Sequence, residues 1–234
     1  MRQVGFCFGA SVLAFASACA SAPPRQPPGV PPTPASVTVA EPGGDAHDPH
    51  EAALMRQLST KFSFQQDKDR QLRVPLSDGD HWQRVRFRLI DHFTGFRYGE
   101  DRHLVTVAFV LDTPPGEKQT SQTCMERFEA DAIEKAESAA VSYQKVTEKT
   151  LKWKKKPLLV HSTDGGVNFL FRQYDFSAAW AAYPAYKDAC LVYAVVVQWE
   201  GYPELARKVR DRWVDEAFQG IRPLTRTRPY RKED

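Results

Sequence analysis

The chain has 234 residues, and at roughly one domain per 100 to 200 residues it holds one ordinary domain plus further segments. Hydrophobic residues at 42% and charged residues at 26% exclude a wholly disordered, collagen-like or multi-span membrane chain. The 32 basic and 29 acidic side chains leave a formal charge of +3, too small to imply a nucleic-acid partner.

Met1 to Ala18 has a basic start at Arg2, an apolar run from Val4 to Phe15 and a small-residue exit, Ala16-Ser17-Ala18, which is the pattern of an export signal. The run is shorter than the about 20 apolar residues of a bilayer helix, and no later stretch reaches that length without charges. The mature protein is therefore expected to have no membrane helix. Cys19 follows the exit directly, and a cysteine in that place resembles the lipobox of bacterial lipoproteins, with Ala16 where that family usually has Leu. The resemblance implies a diacylglycerol on the Cys19 thiol and cleavage that makes Cys19 the new N-terminus. Ala20 in place of Asp implies, as in the enterobacterial version of the family, passage to the outer membrane with the domain facing the periplasm. Ordinary cleavage after an Ala-x-Ala, at Ala18 or Ala20, would instead give a secreted soluble protein.

From Pro23 to Pro34 seven of twelve residues are proline, so this stretch reads as an extended spacer of about 3.1 Å per residue. Small and polar residues continue through Gly43-Gly44-Asp45, and the linker is expected over residues 19–53, disordered to about residue 50. A globular domain over 54–224 and a basic, polar tail over 225–234 follow.

Within the domain, Gln71 to Leu76 reads as a short strand. Val85 to Leu89 alternates apolar residues with arginine, which puts Arg84, Arg86 and Arg88 on one strand face. Leu104 to Leu111 is apolar on both parities, as in a central strand covered on both sides. A helix follows Pro114-Pro115-Gly116; Thr123-x-x-Glu126 fits a capping box, and Met125, Phe128, Ala132, Ala136, Ala139 and Tyr143 form its apolar stripe. Three further strands are predicted over Val146 to Trp153 or on to Val160, Val167 to Phe176, and Ala189 to Trp199. Ser162-Thr163-Asp164-Gly165-Gly166 reads as the hairpin turn before the second of these. Cys190 to Val197 is the most apolar stretch and the expected sheet centre. A closing helix opens at Pro203 and ends at Gly220, with Leu205, Val209, Trp213, Ala217 and Phe218 on its apolar side.

Strands, helix, strands, helix without βαβ alternation predicts an α+β class, a mainly antiparallel twisted sheet packed by two helices. This order, with its closing helix, resembles the PsbP-like fold over about residues 58–222. The resemblance implies a fold alone, since members include an extrinsic photosystem subunit and nuclear transport factors.

Cys124 and Cys190 are the two cysteines of the domain, and in an exported protein they are expected to form a disulfide; two buried thiols are the alternative. Asp78, Asp80, His81, Asp91, His92, Asp101 and His103 gather zinc-binding and acid/base residue types within one segment, yet no H-x-x-x-H or H-E-x-x-H spacing occurs and Asp78-Gly79-Asp80 is also an ordinary turn. No G-x-S-x-G, Walker loop or G-x-G-x-x-G is present, and no cofactor is implied. Glu129 and Asp131 read as a solvated helix face. Lys149, Lys152, Lys154, Lys155 and Lys156 around Trp153, and the arginines at 84, 86 and 88, could meet lipid phosphates or an acidic envelope polymer, or could simply guard a strand edge. Phe93, Phe96, Tyr98, Trp180, Tyr183 and Tyr186 fall in segments read as loops, Asp91 to Asp101 and Phe176 to Asp188, where they would cover the core or meet a partner. The expectation is a non-catalytic lipoprotein, a periplasmic binding or scaffolding module with an envelope protein partner. The alternatives are a cell-envelope hydrolase or metal-dependent enzyme using residues 78–103, and a binder of anionic polymer through Lys149 to Lys156.

Overall fold

The computed structural model describes residues 48–67, 72–85, 93–99, 104–114, 116–138, 141–143, 146–169 and 172–225. Cys19, the proline run, Arg86, Arg88, Asp91, His92, Asp101, His103 and the tail from residue 226 lie outside the described residues.

The chain is an α+β protein whose described strands pair only antiparallel. The main sheet runs β3 (Trp82–Val85), β4 (Phe93–Tyr98), β5 (Leu104–Asp112), β10 (Ala189–Gln198), β9 (Arg172–Tyr183), β8 (Lys156–Phe169), β6 (Val141–Tyr143), and β7 (Thr147–Trp153) also pairs with β8. A smaller sheet runs β1 (Phe62–Asp67), β2 (Leu72–Ser77), β11 (Arg222–Pro223). β10 sits mid-sheet and every residue of it is buried, as its unbroken apolar run requires of a strand covered on both faces.

Two helices cover those faces. Alternate residues Cys190, Val192 and Ala194 pack with Cys124, Met125 and Phe128 of α2 (Ser121–Ser138), while Leu191, Tyr193, Val195 and Val197 pack with Val209 of α3 (Pro203–Arg212) and with Trp213 and Phe218 beyond it. This two-sided packing follows from the period-two alternation of a strand. After Arg212 the closing helix widens into a π turn, Trp213–Ala217, and tightens into a 3-10 turn, Phe218–Gly220.

Several expectations are corrected. A further helix, α1 (Pro49–Ser59), precedes the strands, beside the two that cover the main sheet. Asp48 caps it by accepting from the His50 amide at 2.9 Å, Pro49 occupies the first turn, and buried His50, Leu54 and Gln57 form its inner stripe. Arg212 closes its far end by donating to the carbonyls of Gln57 and Thr60. The cap of α2 lies three residues earlier than expected: the Thr120 hydroxyl accepts from the Thr123 amide at 3.1 Å and the Thr123 hydroxyl from the Thr120 amide at 3.0 Å.

Gly165 and Gly166 are not a turn. They lie inside β8, where a Cβ on Gly165 would stand 2.5 Å from the Ser142 carbonyl and 2.8 Å from the Phe176 ring, so close approach of β6 and β9 requires the glycine. The hairpin is instead at Lys154-Lys155, between paired Trp153 and Lys156, with φ of 48° and 66°. Positive φ at both positions makes the turn that matches strand twist. The segments read as aromatic loops are largely strand: Phe96 and Tyr98 belong to β4, and Trp180 and Tyr183 to β9. Tyr98, Tyr183 and Tyr186 are buried, and the Tyr183 hydroxyl donates to the Phe218 carbonyl at 2.9 Å.

Candidate functional site

The predicted lysine group occupies β7 and its hairpin tip. Among the described residues β7 pairs with β8 alone, and Leu151 and Trp153 point inward while Lys149, Lys152, Lys154, Lys155 and Lys156 are exposed. Lys149 is an ion-pair partner of Asp215. Arg84, on β3, stands at the opposite edge, with β4, β5, β10, β9 and β8 between. At about 4.8 Å per strand Arg84 and the lysine group stand on opposite sides of the sheet, so Arg84 does not extend the lysine patch.

Two other arginines do. Arg222 of β11 lies directly opposite Arg73 of β2. The Arg73 guanidinium stacks 3.7 Å from the Phe64 ring centroid, and Arg222 and Lys154 approach the Trp153 ring at 5.7 and 4.4 Å. The Trp153 indole donates to the Ile221 carbonyl at 2.8 Å, which ties the hairpin to the entrance of β11. Burial draws the Arg222 guanidinium below its ordinary value, and Arg73 adds to that effect. The two arginines are far apart in sequence, and no local signal pairs them.

The histidine-rich segment divides. Asp78 and His81 meet across a 3-10 turn, Gly79–His81, with His81 Nδ1 3.1 Å from Asp78 Oδ2. The same carboxylate accepts from the Tyr98 hydroxyl and lies 3.8 Å from Arg56 Nε. Asp80 is exposed and outside that cluster. Among the described residues no three His, Cys, Asp or Glu side chains are placed to hold a metal ion.

A different histidine is enclosed. His161 of β8 places Nδ1 2.5 Å from Glu129 Oε1 and Nε2 3.2 Å from Glu148 Oε2, and the Trp180 indole donates to Glu129 at 3.1 Å. Hydrogen bonding to Glu129 raises the His161 imidazole above its ordinary range, against the opposing effect of burial. Glu129 is thus held by partners and is not a merely solvated helix face. On the other sheet face Asp164 accepts from Arg207 Nε at 2.7 Å, Arg210 Nη1 at 2.9 Å and the Ser177 hydroxyl at 2.6 Å. A cleft of about 460 Å³ opens where β9 and β10 meet the start of α3, lined by Tyr174, Asp175, Trp199 and Gly201 among others; it contains none of the candidate site residues named from the sequence.

Cys124 and Cys190 form a disulfide with Cα atoms 5.8 Å apart, joining the first turn of α2 to the start of β10. Among the described residues no helix is long and apolar enough to cross a membrane.

No family model and no curated protein matches the chain. Among solved structures it is similar to cyanobacterial PsbP from Synechocystis sp. PCC 6803, with a TM-score of 0.45 and 9% identity over 68% of this chain and 92% of that one. It is also similar to the Ran-binding protein Mog1p of Saccharomyces cerevisiae, with a TM-score of 0.45 and 8% identity over 71% and 97% of the two chains. A Pseudomonas aeruginosa protein of unknown function has a TM-score of 0.35 at 11% identity, over 66% and 92%. These are likenesses of fold at low identity and say nothing of what this chain binds.

Proposed function

We propose that this chain is a non-catalytic lipoprotein of the cell envelope, held by a lipid on Cys19 to the outer membrane, whose domain is a periplasmic binding or scaffolding module for an envelope protein. The observation that carries this reading is the Cys124–Cys190 disulfide, because such bonds persist in oxidising compartments. It agrees with the export signal and the small-residue exit before Cys19. The proline-rich segment then gives the domain reach from its anchor. Intact mass of the mature protein is the test: an acylated chain starting at Cys19 supports the reading, and an unmodified chain starting at Ala20 or Ser21 ends it. Cys19→Ser should release the domain or leave an uncleaved precursor.

The hydrolase alternative rests on the Asp78–His81 contact, in which a carboxylate faces a ring nitrogen. His81→Ala separates the two readings. On the binding-module reading it leaves pull-down of the envelope partner intact; loss of that association without unfolding would favour the site at Asp78.

A further inference from the structure

Cross-strand neighbours of like charge destabilise an antiparallel pair, yet Arg73 and Arg222 stand directly opposite; Arg222 donates to the carbonyls of Gln219 and Ile221, and among the residues whose side chains are described no carboxylate forms an ion pair with either. Arginine does not lose its proton in proteins, so the pair stays doubly charged. Phe64 lies on the same face, two positions along the ladder from Arg73, and is 47% exposed; Leu224, just past β11, is 42% exposed. The adjoining hairpin tip has a second peculiarity. Lys154 and Lys155 hold the left-handed conformation that Asn and Gly ordinarily supply and that is strained for other L residues. Two independent features thus place charge on one surface against a local penalty, and exposed apolar side chains lie among the cations.

We propose that Arg73, Arg222 and the hairpin lysines Lys152, Lys155 and Lys156 dock this domain on the phosphate groups of an anionic lipid leaflet, with Phe64 and Leu224 entering the interface. Phosphate is the complementary group because it can bridge two guanidinium forks. A bilayer fits better than a soluble polymer because exposed Phe and Leu gain by leaving water only where an apolar layer lies beneath the phosphates. The proposal deepens the binding-module reading and rests on it, but it does not depend on the lipid at Cys19.

The test is co-sedimentation of an unacylated chain from Ala20 to Asp234, which keeps every described residue, with vesicles of phosphatidylcholine alone or mixed in equal parts with phosphatidylglycerol. Expected is partition onto the anionic vesicles only, lost at high salt. Arg73→Gln with Arg222→Gln should lower the partition coefficient about 25-fold, at roughly fivefold per basic residue. Lys152→Gln, Lys155→Gln and Lys156→Gln together change only exposed positions, so they test the surface even if the arginine variant fails to fold; the expected loss is about 100-fold. Leu224→Ser should weaken binding further. An equal loss on Arg84→Gln with Arg97→Gln, which removes two charges from β3 and the neighbouring β4 on the opposite side of the sheet, would reduce the effect to net charge and overturn the proposal. So would binding to heparin, a soluble acidic polysaccharide, with none to either vesicle. Because the probe chain carries no acyl group, failure here leaves the Cys19 mass measurement to judge the anchor separately.

Discussion

Cys124, in the first turn of α2, is bonded to Cys190, the second residue of the central strand β10, so the helix covering one sheet face is fixed covalently to the middle of that sheet. The bond lies among buried Met125, Phe128, Ala182 and Val192.

The closed loop spans a sequence separation of 66, for which the chain-entropy relation gives about 4 kcal/mol. Cys124→Ala with Cys190→Ala should lower the unfolding free energy by about that amount, measured by urea denaturation. A protein equally stable before and after reduction would show that the packing of α2 alone holds it in place.

His161 should give the domain a pH dependence of definite sign. Its folded-state pKa is raised by Glu129, so its stabilising contribution is fully present below the unfolded value of about 6.5 and is lost as pH rises through the higher folded value. Urea midpoints should fall across that window. His161→Gln should flatten the dependence and cost about 1.5 kcal/mol on the acidic side, the scale of a hydrogen bond to a charged group. A midpoint that rises with pH in the wild type but not in His161→Gln would reverse the assigned sign.

Asp164 is the common acceptor of Arg207, Arg210 and Ser177 beneath α3, and both Asp164 and Arg210 are largely buried. Asp164→Ala should cost about 2 kcal/mol, because it removes the buried acceptor and leaves Arg210 with the exposed Asp211 and Arg207 with the exposed Glu204. Additional replacement of Arg210 by Met should recover part of the loss. Double-mutant-cycle melts measure both steps, and strict additivity would show that the pair is not coupled.

The hairpin tip should trade stability against charge. Lys154→Asn with Lys155→Gly relieves two left-handed lysines and is expected to stabilise the domain by about 2 kcal/mol while weakening its hold on anionic vesicles. Thermal melts and vesicle co-sedimentation read the two effects on the same sample. Destabilisation would mean that the lysine side chains hold the turn.

What the sequence determined by itself is what local periodicity encodes. The unbroken apolar run at 190–197 marks the central strand, and the cysteine count marks the bond to Cys124. Pro203 marks the start of the closing helix, and of its predicted stripe Val209, Trp213, Ala217 and Phe218 are buried and Leu205 is partly buried. Where two physical readings share one local pattern, tertiary packing decided. Gly165-Gly166 serves a close strand approach as well as a turn, and only the Ser142 carbonyl and the Phe176 ring distinguish them. A lysine pair carries no turn signal, yet the register of β7 on β8 forces it to be one. His161 with Glu129 and Glu148, and Arg73 with Arg222, are brought together from distant segments by the helix against the sheet and by strand pairing. Charges of that kind acquire meaning from their neighbours, because interaction falls with distance in space and is indifferent to distance along the chain.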